Sequence, residues 1–586
     1  MAAVLAVVEG DFLYRLQEQD LFLHSTLFFE QRLVTAGGML TWMGSYLTQF
    51  FYYPALGAGL LCLLWVFIMM LQAKAFRLPV AWRPLSLVCI ACLLLTVVDM
   101  GYWVFYLKLR GHAFDATLGT LFATALAWAF SALPRKHGQH LLFIPLTACI
   151  AYPLLGFYGL WATLLMGIMG WHDRPYRWAS AALSALSIAV VPLACYHLLY
   201  HETNLVNIYW TALPVYAMRQ ESYWAYNLPF VALVACTMVM ASGCLLPKNG
   251  SGRTGLLLRA AILTASAAAV VLGWYKDDNF HREMTMTRCM EQQDWNALLT
   301  TARSTKGEPT RAMCMMQNVA LMRLGRQGDE MFAYPVGARR PEAPFPVRLV
   351  QMQGKQLYLQ YGVPNYCYRW CMEDGVEYGW NVSILKLMLK CSLVNGELVA
   401  AQRFINMLKK TDFHRSWARR YEAYVQQPLL IAQDKELDAI RRLMRKDNFL
   451  TADMAQMERF LLEHFSTARS NNPVLQEQTL IASMQMKDMR LFWQMLLQYT
   501  QMHPGSQLPR HYQEAACLFG HLQNIDVSHM PFDRAVVQDY NEFAATMGRF
   551  QQQGMSIDQM RPLVTARFHT TYYYDFYFNR YQYIEQ

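Results

Sequence analysis

The sequence has no P-loop, no dinucleotide-binding glycine fingerprint after a strand, no HExxH and no GxSxG. Those absences remove the usual marks of nucleotide hydrolysis, nicotinamide or flavin chemistry, zinc proteolysis and serine hydrolases. Charge is scarce too: 16% of the 586 residues are Asp, Glu, Lys or Arg, against 54% hydrophobic, and the mean hydropathy is +0.12. A wholly soluble chain is rarely so apolar and a protein built only of spans is usually more so, which predicts a hybrid. Beyond residue 275 no apolar run reaches spanning length, whereas before it such runs follow one another. The formal charge of +9 does not imply nucleic acid, because the basic residues collect in short loops between apolar runs, as membrane topology requires.

Of the 13 cysteines, those up to Cys244 lie inside apolar runs, where a thiol packs as a small hydrophobe. Cys289, Cys314, Cys367, Cys371, Cys391 and Cys517 form no CxxC and have no His spaced to complete a zinc site. If any pair bridges, Cys289 and Cys314 are the better candidates; free buried thiols are the simpler expectation.

A spanning helix needs about 20 mostly apolar residues. Candidates are 54–73, 84–107, 114–133, 178–200, 227–246 and 255–274. The stretch 141–170 is too long for one straight span, and Pro153 and Gly156 near its middle predict a hairpin of two short ones. The sum is about eight full spans. With the hairpin, the loops 74–83, 134–140, 171–177 and 247–253 share one side and carry nine Lys or Arg, against five on the other. That asymmetry makes the first side cytoplasmic. Residues 10–52 and everything after 275 then lie outside, on the periplasmic side of a bacterial inner membrane. The opening MAAVLAVVEG is too short to cross. It reads either as an interfacial stub or, preferably, as the end of a first helix that the chain enters partway.

The segment 10–52 carries Glu18, Asp20 and Glu30 before the aromatic run Phe50, Phe51, Tyr52 and Tyr53, placed where a membrane-interface belt would sit. Asp99 lies in the outer third of a span, where a carboxylate is expensive unless paired or hydrated. Lys108, Arg110, His112 and Asp115 follow it, and His201 and Glu202 open the next external loop. This layout, a long external loop with an acid followed by short-looped spans, is similar to the membrane half of GT-C-type glycosyltransferases. More narrowly, EQDLFLHSTLFFEQRL followed by GSYLTQFFYYPALGAGLL resembles an uncharacterised bacterial family that joins such a membrane half to a helical periplasmic domain. The resemblance implies a polyprenyl-phosphate-linked sugar as donor, with Asp20 as base and Asp99 beside it. Glu18, Glu30, Lys108, Arg110, His201 and Glu202 would then line the substrate pocket. No cofactor motif is evident; a divalent metal ion is the one such chemistry would accept. Glu18-Gln19-Asp20 departs from the family pattern, separating its carboxylates by one residue.

From residue 276 onward the periodicity is helical throughout, giving an all-α chain: a membrane domain over 1–275 and a soluble helical domain over 276–586. LKLMLKCSLVNGELVAAQRFINMLKK (385–410) reads as a helix, a stop at Asn395-Gly396 and a second helix, with Ala400 and Phe404 at a tetratricopeptide-like spacing. A stacked repeat array would offer a groove to a protein or glycan partner. The tail, FHTTYYYDFYFNRYQYIEQ, is expected to pack on its own domain. Two functions compete: sugar transfer at the outer membrane face, and a non-catalytic scaffold for envelope or secretion assembly. A cavity lined by both Asp20 and Asp99 would favour the first, and separate helix contacts for the two would favour the second.

Overall fold

The structure is a computed structural model. It describes all residues except 81, 107–110, 135–137, 202, 215–226, 244–252, 344, 447–449, 451, 452, 454 and 580–586, together with the side chains of 253–255. It is all-α; the one β-type pairing among the described residues is an isolated bridge between Thr310 and Arg339.

Apolar helices form where the apolar runs lie. Four are long and apolar enough to cross a membrane: Pro54–Ala75, His112–Ala132, Arg177–Leu198 and Leu256–Gly273. Four more, Leu85–Val98, His140–Leu155, Phe157–Gly170 and Leu228–Ser242, are shorter. The expectation of about eight full spans is therefore corrected to four among the described residues. A 14-residue helix such as Leu85–Val98 reaches roughly 21 Å at 1.5 Å per residue, short of a hydrocarbon core of about 30 Å. The run 84–107 is shortened because its second part winds into a tight turn at Gly101–Phe105. The stretch 141–170 breaks at Gly156 (φ +59°) into two helices. Helix Pro54–Ala75 buries Gly57, Ala58, Leu61, Trp65 and Ile68 while leaving Leu56, Leu63, Val66, Phe67 and Met70 exposed. A helix apolar on both faces suits lipid rather than water.

Close contacts gather the connecting segments at one end of these helices. Gly37 N–H donates to Pro153 O (2.9 Å), Phe157 N–H to Thr211 O (3.0 Å) and Tyr275 N–H to Val98 O (3.2 Å). Gly44 lies against Asp115 and Gly111. The helices Gly10–Glu18, Thr26–Leu33 and Gly38–Thr48 build this end, and the helices that follow Gly273 pack onto it through contacts such as Asp11–Arg288, Glu18–Lys386 and Tyr52–Phe413. Of the aromatic run, Phe51 is fully buried against Phe114 and Tyr52 stacks on Phe413 (5.3 Å, 10°), so these rings pack on protein; Tyr53 remains exposed.

After Gly273 the next helix starts at Asp278, and side-chain N-caps (Asp277, Asp294, Thr310, Asn381, Asp434, Asn472, Asp488, Ser556, Thr571) open many of the helices that follow. Asn395-Gly396 ends Val382–Asn395, with Gly396 at φ +79°. Consecutive helices pack on each other, but the chain also closes on itself: Phe332 packs against His511 and Tyr572, and Gly328 sits against Pro509 and Tyr512. A solenoid touches only neighbouring repeats, so this is not a simple stack. The tail as far as Asn579 packs inward, with Tyr572 and Tyr573 fully buried. Cys289 and Cys314 are separate free thiols, the latter donating to Pro335 O (3.2 Å).

Helix Asp278–Gln292 runs beside Gly10–Glu18 in the same direction, with rungs Glu9–His281 (3.1 Å), Asp11–Arg288 (2.7 Å) and Arg15–Glu291 (3.3 Å). On its inner face Glu283 is wholly buried, accepting from Thr310 Oγ1 and Gln353 Nε2 (3.4 Å), and burial pushes its carboxyl up to about 8. Its contribution to stability is full below the ordinary value of 4.5 and is lost as pH rises through about 8. Thermal unfolding of the purified protein should therefore show a melting temperature falling from pH 6 to pH 8.5. Glu283→Gln, neutral at every pH, is expected to flatten that fall; an unchanged slope would reject the assignment.

Candidate functional site

The end of helix Gly10–Glu18 delivers two carboxylates to opposite surroundings. Glu18, 1% exposed, accepts Lys386 Nζ (2.7 Å) and Arg15 Nη1 (3.1 Å). Burial alone would raise its carboxyl, but the Lys386 and Arg15 charges overcome that and hold it near 2. Glu291, half-buried alongside, behaves in the opposite way. Burial first, then the neighbouring Glu18 carboxylate, push it up to about 7 against the pull of Arg15 and Lys386. Two carboxyls with protonation driven apart by their surroundings form the arrangement from which acid–base roles are assigned.

Lys390, one turn beyond Lys386 on Val382–Asn395, meets both oxygens of Glu436 (2.7 and 2.7 Å). Glu436 also accepts from Gln360 (3.0 Å) and Gln293 (3.3 Å). Both lysines stand over the Trp417 ring, at 5.5 and 6.0 Å. Gln17 bonds Gln49 (3.0 Å) and the buried His414 (2.7 Å), whose imidazole is driven well below its ordinary value by burial and then by the Lys386 charge. Glu18, Glu291, Lys386, Lys390, His414, Trp417 and Glu436 line, with Tyr14, Tyr52 and Gln356, a cleft of about 210 Å³. One water occupies roughly 10–15 Å³ on this measure, so the cleft accommodates a ligand of many atoms.

Asp20 sits on the other side. It is 2% exposed, and its Oδ1 accepts from Leu21 N–H (2.8 Å) and Ser45 Oγ (3.3 Å). Its neighbour is Asp115, 1% exposed, whose carboxylate oxygens have no hydrogen-bond partner among the described residues. Helix His112–Ala132 thus brings a second carboxylate, Asp115, beside Asp20. Asp99 is half-buried at the end of Leu85–Val98, where its backbone N–H donates to Leu95 O, and neither it nor Asp20 lines the cleft, so the two acids have separate surroundings, the arrangement that favours the scaffold over transfer through Asp20 and Asp99. Glu30 and His201 are exposed. Lys108, Arg110 and Glu202 lie outside the described residues. Among the described sequence candidates Glu18 alone lines the cleft; Glu291, Lys386, Lys390, His414, Trp417 and Glu436 were not foreseen. Among the described residues no group of three or more His, Cys, Asp or Glu is placed to hold a metal ion.

The Asp20–Asp115 packing depends on a missing side chain. A Cβ at Gly44 would come within 1.8 Å of Asp115 Oδ1. Gly44→Ala is expected to destabilise the protein by about 1–3 kcal/mol, seen as a lower melting temperature. Gly59→Ala, where a Cβ meets nothing within 4 Å, should leave it unchanged.

No curated protein and no solved structure matches this chain. Neither the GT-C likeness nor the tetratricopeptide reading gains a relative from those comparisons. A family model does match, over residues 2–579, and by it the chain belongs to the Family of unknown function (DUF6057).

Proposed function

We propose that this protein is a membrane-anchored acid–base enzyme working in the junction cleft, and that it transfers a sugar from a polyprenyl-phosphate-linked donor on the periplasmic face of the inner membrane. The observation that carries the reading is the Glu18–Glu291 pair. Glu18 is committed to its cations and stays ionised, while Glu291 titrates near neutrality and borders the cleft. A general base works best with an affinity for protons close to the operating pH. The role of base therefore passes from Asp20 to Glu291. The sugar and its lipid carrier come from the GT-C resemblance, and the four apolar helices of spanning length agree with a membrane-bound donor.

In the proposed step the acceptor hydroxyl gives its proton to Glu291 and its oxygen bonds to the anomeric carbon. The bond from that carbon to the phosphate oxygen breaks, and its electron pair leaves on the phosphate. Arg15 and Lys386 stand close enough to offset the charge that develops.

In cells expressing Glu291→Gln at normal level, the product glycan should fall by about 100-fold or more in rate, with lipid-linked sugar accumulating. Wild-type turnover should rise with pH through about 7, as Glu291 loses its proton, and the variant should lack that limb. Unchanged glycans in Glu291→Gln would end the enzymatic reading and leave the scaffold.

A further inference from the structure

Phe413 fixes where the helices beyond Gly273 stand relative to lipid. Helix Pro54–Ala75 has 22 residues, about 33 Å at 1.5 Å each, which matches a hydrocarbon core of about 30 Å with little to spare. Tyr53, which precedes it and is exposed, therefore stands at the headgroup boundary. Phe413 packs on Phe50 (5.8 Å), Tyr52 (5.3 Å) and Tyr53 (5.8 Å), so it is held at that same boundary. Arg415, two residues on, and Lys410, three before, lie no more than about 11 Å from it. Their long side chains extend further still, enough to enter a headgroup layer of about 5–7 Å.

This stretch is basic, and its acids are already engaged. Residues 409–422 hold five Lys or Arg against two acids. Asp412 takes His24 (2.7 Å) and Glu422 takes Lys409 (2.9 Å). Lys410, Arg415 and Arg419 are exposed, and none forms an ion pair among the described residues, although Arg419 stands near Glu422. Arg415 and Arg419 lie one turn apart on helix Arg415–Gln426, away from its buried Ala418 and Tyr421. Arg415 Nε donates to Lys409 O (3.0 Å), which steadies the side chain and leaves its charge in place. His24 N–H donates to Lys410 O (3.0 Å), which brings helix Thr26–Leu33 alongside. That helix adds one charge of each sign, Glu30 and Arg32, and exposes Leu27. Apolar and basic groups at one level beside a spanning helix fit a negatively charged lipid surface.

We propose that Lys410, Arg415 and Arg419 form a docking surface for the anionic phospholipid headgroups of the membrane that the apolar helices cross, with Phe413 and Tyr53 as its anchor at the boundary. Each of these cations meets a lipid phosphate in place of a protein carboxylate. The surface borders the cleft, which Tyr52, His414 and Trp417 line, and so holds the cleft's edge against the lipid. The inference goes beyond the reading above: it needs the spanning helices but no chemistry at Glu291.

Hydrogen exchange over residues 409–422 tests this, in the full-length protein placed in nanodiscs of phosphatidylcholine alone or mixed with phosphatidylglycerol. Exchange should be about fivefold or more slower with phosphatidylglycerol, the factor expected from one Lys or Arg engaged at an anionic surface. Salt at about 1 M, where the Debye length is about 3 Å, should abolish the difference in the wild type. The variant combining Lys410→Gln, Arg415→Gln and Arg419→Gln should exchange like the wild type in phosphatidylcholine, which shows that it folds, and lose the response to phosphatidylglycerol. Glu291→Gln should keep the response, so this proposal and the enzymatic reading fail separately. Equal exchange of the wild type in both lipids, or a response that survives high salt or the triple variant, would overturn the docking surface. Protection by soluble polyglutamate and not by phosphatidylglycerol would overturn it too, in favour of an acidic protein partner.

Discussion

Glu18 cannot lie at 1% exposure between the two parts of the chain unless cations meet it there. One of them, Arg15, stands a turn earlier on the same helix; the other, Lys386, arrives from 368 residues further along. Such a buried pair adds little over good apolar packing, but stripping away one partner costs about 3–5 kcal/mol. Its effect is therefore on which faces dock. Packing supplies the adhesion: Phe413 on Tyr52, Trp103 against Phe345 (4.2 Å) and Tyr102 against Phe280 (4.8 Å). The cleft exists only in the docked state, since Tyr14 and Tyr52 form one wall and Lys386, Lys390 and Trp417 another.

The same helix end explains why two acids separated by one residue are not a pair. Glu18 is the last helical residue and still follows the helix face that meets Val382–Asn395. Asp20 follows Gln19 beyond the helix, where the chain turns, and its carboxylate goes to Ser45 and Asp115 instead. Its backbone carbonyl meanwhile takes the Val382 N–H (3.2 Å), tying both sides together at one point. Each carboxylate acquires a neighbouring acid from a distant helix, Glu291 for Glu18 and Asp115 for Asp20.

That distance sets what was legible in the sequence. The apolar helices, the break at Gly156, the stop at Gly396 and the inward-packed tyrosine tail are local consequences of run length, glycine conformation and periodicity, and reading the chain found them. Helix lengths were less legible, because a run such as 84–107 is uniformly apolar while its second part leaves the helix at Asp99. The cleft was mostly hidden. Glu291 is an ordinary acid near the end of an amphipathic helix until Glu18 is laid beside it. A signal did exist in Val382–Asn395: Lys386 and Lys390, one turn apart, interrupt an otherwise apolar stretch. Lysines so placed are seldom buried without carboxylates to receive them.

Two of the short apolar helices, Leu85–Val98 and His140–Leu155, are bound up with the docking. Gly10–Glu18 lies beside Asp278–Gln292, so the chain between them must return to the end from which it set out. Gly44 against Asp115, and Pro153 against Gly37, require intermediate returns as well. Helices Leu85–Val98 and His140–Leu155 make those returns, each meeting a nonhelical turn at the docked end. Backbone outside a helix is tolerated there because protein, not hydrocarbon, surrounds it: Tyr102, Trp103, Val104 and Phe105 of the turn are all buried, against Phe280 and Phe345 of the docked part. A longer, straighter helix at 85–107 would project past this surface and leave Trp103 without Phe345. The docked helices thus permit the shortened ones, and the shortened ones supply the surface on which docking occurs.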